Sequence, residues 1–71
     1  MDYNRETNPA ALIKVMPRYK GRDLPVAVFI KYRDSNFWQQ VSREYHYKKC
    51  AVNKAREIEI QHYAYKFIKE A

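Results

Sequence analysis

Two stretches of this chain carry the strongest strand signals. "ALIKVMPRY" at 11–19 has period-two alternation and "VAVFIKYR" at 26–33 is the clearest strand in the sequence, and both are rich in β-branched or aromatic side chains. The segment between them, "KGRDLP", holds the only glycine of the chain and a proline, which is turn chemistry. The pattern predicts strands over Leu12–Tyr19 and Val26–Arg33. Upstream, Asn8-Pro9 disfavours helix at its junction. Downstream, "DSN" is a short polar break of the kind that closes a hairpin, and "FWQQVSREY" predicts a third strand over Phe37–Tyr45.

From Cys50 the character changes. "CAVNKAREIEIQHYAYKFIKEA" has no Gly or Pro and is rich in Ala, Lys, Arg and Glu, so it predicts a helix running to near the end of the sequence. Part of it also alternates, with Ile58 and Ile60 set against Glu57, Glu59 and Gln61, and a fourth strand is the competing reading there. The preferred fold class is α+β: a three-stranded antiparallel sheet packed against one C-terminal helix, in the order β-β-β-α. Seventy-one residues make one small domain, taken as 10–71, behind a polar opening at 1–9 that reads as a flexible arm.

Alternation also sorts the side chains by face. Ile13, Val15 and Tyr19 share one side of the first strand, and Val26, Val28, Ile30 and Tyr32 one side of the second. Phe37, Val41 and Tyr45 suit that apolar side in the third, which leaves Gln39 and Arg43 at its margin. A single helix is the element available to cover it, through Ala55 and Ile58 with Val52, Tyr63 and Phe67. The other side carries Lys14, Arg18, Lys31 and Arg33 together with Phe29, Trp38 and Gln40.

The charge balance gives that open side a meaning. Fourteen Lys and Arg against eight Asp and Glu leave a net charge of +6, which favours an anionic partner. Lys and Arg neutralise phosphates, Arg and Gln hydrogen-bond base edges in pairs, and rings touch thymine methyls or sugars. The expected partner is double-stranded DNA, contacted by Lys14, Arg18, Lys31, Arg33, Trp38 and Gln40, with Lys48 and Lys49 adding charge before the helix. The plain alternative is a solvated basic face whose lysines discourage edge pairing. A protein partner docking on the tyrosines, seven in all, is a further alternative.

Other chemistries are poorly supplied. Cys50 is the only cysteine, which excludes an internal disulfide and suits a reducing cytoplasmic compartment. His46, Cys50 and His62 fall short of a structural zinc site, so no metal or cofactor is expected. Cys50 with His46 lacks a third catalytic member, Glu57 and Glu59 project to different sides of a helix, and there is no Gly-rich phosphate loop, all of which argues against an enzyme. No stretch approaches the ~20 apolar residues of a membrane-spanning helix, and the opening residues do not read as a signal peptide.

The β-β-β-α layout, with the junction "YHYKKCAVNKAREIEIQHY", resembles the N-terminal arm-type DNA-binding domains of phage and transposon integrases and the related plant ethylene-response-factor DNA-binding domain. The resemblance spans roughly Leu12 to Ala71 and implies a sheet that enters the major groove for site recognition in recombination by a mobile element. It also implies that the chain is one domain of a longer recombinase. Separately, "KKCAVNKA" resembles the Lys-Lys-x-Ala opening of the last helix in double-stranded RNA-binding domains, which implies phosphate contacts by Lys48 and Lys49 and makes RNA the runner-up partner.

Overall fold

The computed structural model describes residues 2–68. Its elements are β1 (Ala11–Pro17), β2 (Val26–Tyr32), β3 (Gln39–Gln40), α1 (Lys48–Gln61) and β4 (Tyr65–Phe67). They form one four-stranded sheet in the order β3-β2-β1-β4, with β1 antiparallel to β2, β2 antiparallel to β3, and β4 parallel to β1. The α+β class holds; the three-stranded, purely antiparallel sheet does not.

The β1–β2 hairpin follows the alternation. Its ladder runs from Ala11 opposite Tyr32 to Pro17 opposite Val26. Gly21 has φ +83°, a region that L side chains rarely adopt, and the Arg22 N–H donates to the Tyr19 carbonyl at 3.3 Å to close a tight turn. β1 ends at Pro17; the Arg18 N–H still donates to the Pro25 carbonyl at 2.8 Å, but Pro25 has no N–H to return.

The third strand is far shorter than the residues at 37–45 suggest. Gln39 and Gln40 pair with Ile30 and Phe29, and the next N–H of β2, that of Val28, donates to the Ser42 hydroxyl at 2.9 Å instead of to a backbone carbonyl. The Val41 N–H still donates to the Val28 carbonyl at 2.9 Å, and the next paired residue is Tyr45, which exchanges hydrogen bonds with Val26 at 2.7 and 2.9 Å. Five steps along one chain therefore oppose three on the other, and the two extra residues bulge. An even excess preserves parity, so Tyr45 still packs against the core. Phe37 and Val41 have the right parity but lie beyond the helix, and both are exposed.

That helix covers one face only. Ala51, Ala55 and Ile58, at i, i+4 and i+7, form its buried stripe. The two alanines are fully buried, and their small side chains let the helix lie close on Ala11, Ile13, Val15, Val26, Val28 and Ile30. Val52 packs beside them, whereas Tyr63 is 73% exposed and takes no part.

The helix also stops earlier than expected, at Gln61. A side chain from the other end of the chain meets it there: the Arg5 guanidinium donates to the carbonyls of Glu59 in the last turn at 2.6 Å, of His62 at the cap at 3.4 Å and of Tyr65 in β4 at 2.7 Å. A cation at the negative end of the helix suits the macrodipole and satisfies carbonyls that would otherwise lack partners. Freed from the helix, Tyr65–Phe67 joins β1, and the Phe67 N–H donates to the Glu59 carboxylate at 2.9 Å. Phe67 thus reaches the core from β4 and not from the helix.

Residues 2–9, read as an arm, are folded into a turn. Asn4 and Asn8 exchange backbone hydrogen bonds at 2.9 and 3.1 Å, and the Thr7 N–H and hydroxyl both donate to the Asn4 side chain. Arg5, together with the bond from the Tyr63 hydroxyl to the Tyr3 carbonyl, fastens this turn to the α1–β4 junction.

Candidate nucleic-acid interface

Cross-strand register decides which side chains stand together on the open face. One row runs Gln40, Phe29, Lys14 across β3, β2 and β1, and the adjacent row runs Lys31, Leu12, Lys66 across β2, β1 and β4. Met16 opposite Ala27 makes a third. Lys31 and Lys66 flank Leu12 two strands apart, about 9.6 Å between backbones, and Lys14 sits about 6.7 Å further along β1. The result is a triangle of lysine positions around Leu12.

No Asp or Glu lies on any of the four strands. The ion pairs among the described residues are Arg5 with Glu59 at 4.0 Å and Lys54 with Glu57 at 3.7 Å, so none of the three sheet lysines is paired with a described carboxylate. Lys14 and Lys31 are half-buried, with stems lying along the sheet, as are Leu12, Met16 and Phe29. Ala27 is wholly buried even on this side because its methyl does not reach past its neighbours.

The expected site residues divide into groups. Lys14, Lys31 and Gln40 share the open face. Trp38 is half-buried one residue before β3, with the same parity as Gln40. Arg18 lies just past β1 at the turn end of the hairpin, its guanidinium 5.1 Å from the centroid of the Tyr19 ring. Arg33 lies just past β2 at the other end, bonded to the Asn8 side chain and 5.7 Å from the Tyr3 ring. Lys48 and Lys49 open α1, on the opposite side of the sheet, and are not brought together with the rest. They occupy a helix N-terminus that lacks both a side-chain cap and any acidic residue in its first turn.

Lys66 is the residue that sequence reading missed. Its signal was present in the alternation of "YAYKF", but a helix over that stretch hides the parity.

Tyrosines do not form one patch. Tyr47 is 75% exposed before α1 and Tyr63 lies beyond its far end, so 14 helical residues, about 21 Å, separate them. Tyr65 packs edge-to-face on Tyr32 with centroids 6.3 Å apart and stacks on His62 at 4.4 Å. Burial, reinforced by the Tyr32 hydroxyl, raises the Tyr65 phenol above its usual value of 10.0. Among the described residues no three His, Cys, Asp or Glu side chains converge as a metal-ligand set, and no helix is long and apolar enough to cross a membrane. Comparison with protein-family models, with curated proteins and with solved structures found no match for this chain.

Proposed function

We propose that this chain binds double-stranded DNA through the open face of its sheet. The observation that carries the reading is the row structure of that face: Lys14, Lys31 and Lys66 without a carboxylate on any strand, interleaved with Gln40, Phe29 and Leu12. A merely solvated sheet face needs no such exclusion of acids, and mixed signs serve solubility better. Ammonium groups contact phosphates, Gln40 is the candidate reader of a base edge, and the half-buried apolar residues suit sugar or methyl contact. A recombination role, as the arm-type resemblance implies, rests on whether one duplex sequence is preferred over others.

Duplex DNA titrated at low salt into isotopically labelled protein tests this. Amide shifts should concentrate on Lys14, Lys31, Gln40 and Lys66 and include the Trp38 indole, and affinity should fall steeply with salt, about 0.9 in log–log slope for each phosphate contacted. Shifts confined to Lys48, Lys49, Lys54 and Arg56, strongest with duplex RNA, would transfer the function to the helix start. Salt-independent binding of a protein ligand around Tyr47 or Tyr63 would replace nucleic acid altogether.

A further inference from the structure

At the Arg33 end of the hairpin the open face runs into a depression of about 210 Å³ lined by Pro9, Ala11, Leu12, Lys31, Tyr32 and Arg33. Two of these six carry positive charge and none carries negative charge. Asp2, Glu6 and Asp34 are exposed nearby in sequence, yet none comes within ion-pair distance of Lys31 or Arg33 among the described residues. The concavity therefore holds an unbalanced positive potential, which low-dielectric walls concentrate.

Arg33 is aimed, not loose. Its Nη1 donates to the Asn8 side-chain oxygen, and its guanidinium lies 5.7 Å from the centroid of the Tyr3 ring. Asn8 is itself held at both ends, its backbone N–H on the Asn4 carbonyl at 3.1 Å and its side-chain amide on the Asp2 carbonyl at 3.0 Å. A guanidinium has five N–H donors, and among the described residues one is engaged, that given to Asn8, so its fork has donors to offer an oxyanion. The remaining lining residues are Pro9, Ala11, Leu12 and Tyr32. At about 210 Å³ the depression lies below the ~300 Å³ at which drug-sized pockets begin. That is the scale of a phosphate with its sugar.

Resting on the DNA-binding reading above, we propose that the Lys31–Arg33 depression is a phosphodiester subsite. It seats one backbone phosphate on the two cations and the attached sugar against Pro9 and Leu12. Asn8 is its positioning residue, and the N-terminal turn is the element that presents Asn8. Lys31 then belongs both to the sheet face and to the subsite, which ties the register of the backbone to the face that reads it.

The test uses the full chain with labelled arginine side chains. Inorganic phosphate is titrated first, then a short duplex, into wild type, Arg33→Gln, Asn8→Ala and Lys14→Ala. Phosphate should shift the Arg33 Nε–H and the Lys31 amide saturably, and Arg33→Gln should abolish this. For the duplex, Arg33→Gln should lower affinity about tenfold and reduce the salt slope by about 0.9. Asn8→Ala should lower affinity less with the slope unchanged, because it removes aim and not charge. Should phosphate shift all lysines alike, and Arg33→Gln and Asn8→Ala bind duplex as wild type does while Lys14→Ala is weakened, the subsite is overturned and the sheet reading stands. Should wild type ignore duplex yet bind inorganic phosphate saturably at Arg33, the anion site stands and the DNA reading falls. Arg33 is exposed and its backbone bond to Ala10 survives substitution, and Lys31→Gln offers a second removal of charge should Arg33→Gln misfold.

Discussion

The two faces of the β1–β2 hairpin come from the same two seven-residue strands and share almost nothing. Under α1 the pairs are Ala11 with Tyr32, Ile13 with Ile30, Val15 with Val28 and Pro17 with Val26, and all but Tyr32 and Pro17 are buried. On the other side the paired residues are Leu12, Lys14, Met16, Ala27, Phe29 and Lys31, mostly half-buried. The covered face has one requirement, removal from water, and β-branched side chains meet it with little loss of rotamer freedom. The open face meets two: it keeps charge in solvent on stems that shelter large apolar neighbours, and it keeps carboxylates out. Only the first of these is a folding requirement, which is why the second points to a ligand.

Substitutions should separate the faces sharply. Ile13→Ala opens a cavity at the centre of the covered face and should cost about 2–5 kcal/mol. A domain this small holds on the order of 4–10 kcal/mol, so denaturant melts should show the largest loss of the set. An Ile13→Ala variant as stable as wild type would mean that the helix does not pack where this structure puts it.

β4 serves both faces, sending Lys66 to one and Phe67 to the other, and it depends on Arg5. Arg5→Ala strips three carbonyls of a charged donor and should cost about 2 kcal/mol, with the Phe67 and Ile68 amides losing most protection in hydrogen exchange. Protection lost first in β2 instead would show that β4 is held by packing alone. Lys14→Ala sharpens the contrast from the open side. Its thermal stability should stay within about 0.5 kcal/mol of wild type, while the salt slope of duplex binding falls by about 0.9.

The smallest expected effect is alkaline. Because the folded pKa of Tyr65 lies above the unfolded value of 10.0, the folded state holds this proton more tightly. The stabilisation is complete below that value and is lost as pH rises through the folded pKa. Tyr65→Phe should flatten the stability profile above pH 10.0 and leave it unchanged at neutral pH. A profile that still fell as steeply would assign the titration to another tyrosine.

Most of the hairpin was legible because its signal is local. Period two puts Ile13 and Val28 on one side and Lys14 and Lys31 on the other whatever surrounds them, and the tight turn is announced by Gly21. β3 was overestimated because Phe37, Val41 and Tyr45 look like one apolar edge. Nothing in their spacing shows that the Ser42 hydroxyl would satisfy Val28 and push two residues out of the ladder. Lys66 was hidden behind the end of the helix. Neither Gly nor Pro follows Gln61 to mark a helix end, and Arg5, 54 residues away from Glu59, meets that end through the Glu59 carbonyl.

By itself, then, the sequence determined one α+β domain, the composition of both hairpin faces and the excess of positive charge, because alternation and charge act residue by residue. Tertiary structure decided between helix and the competing fourth strand at Tyr65–Phe67, and it alone decided the docking of the N-terminal turn and the pairing of Arg33 with Asn8. The last two depend on hydrogen bonds between groups far apart in the chain, for which no periodicity gives warning.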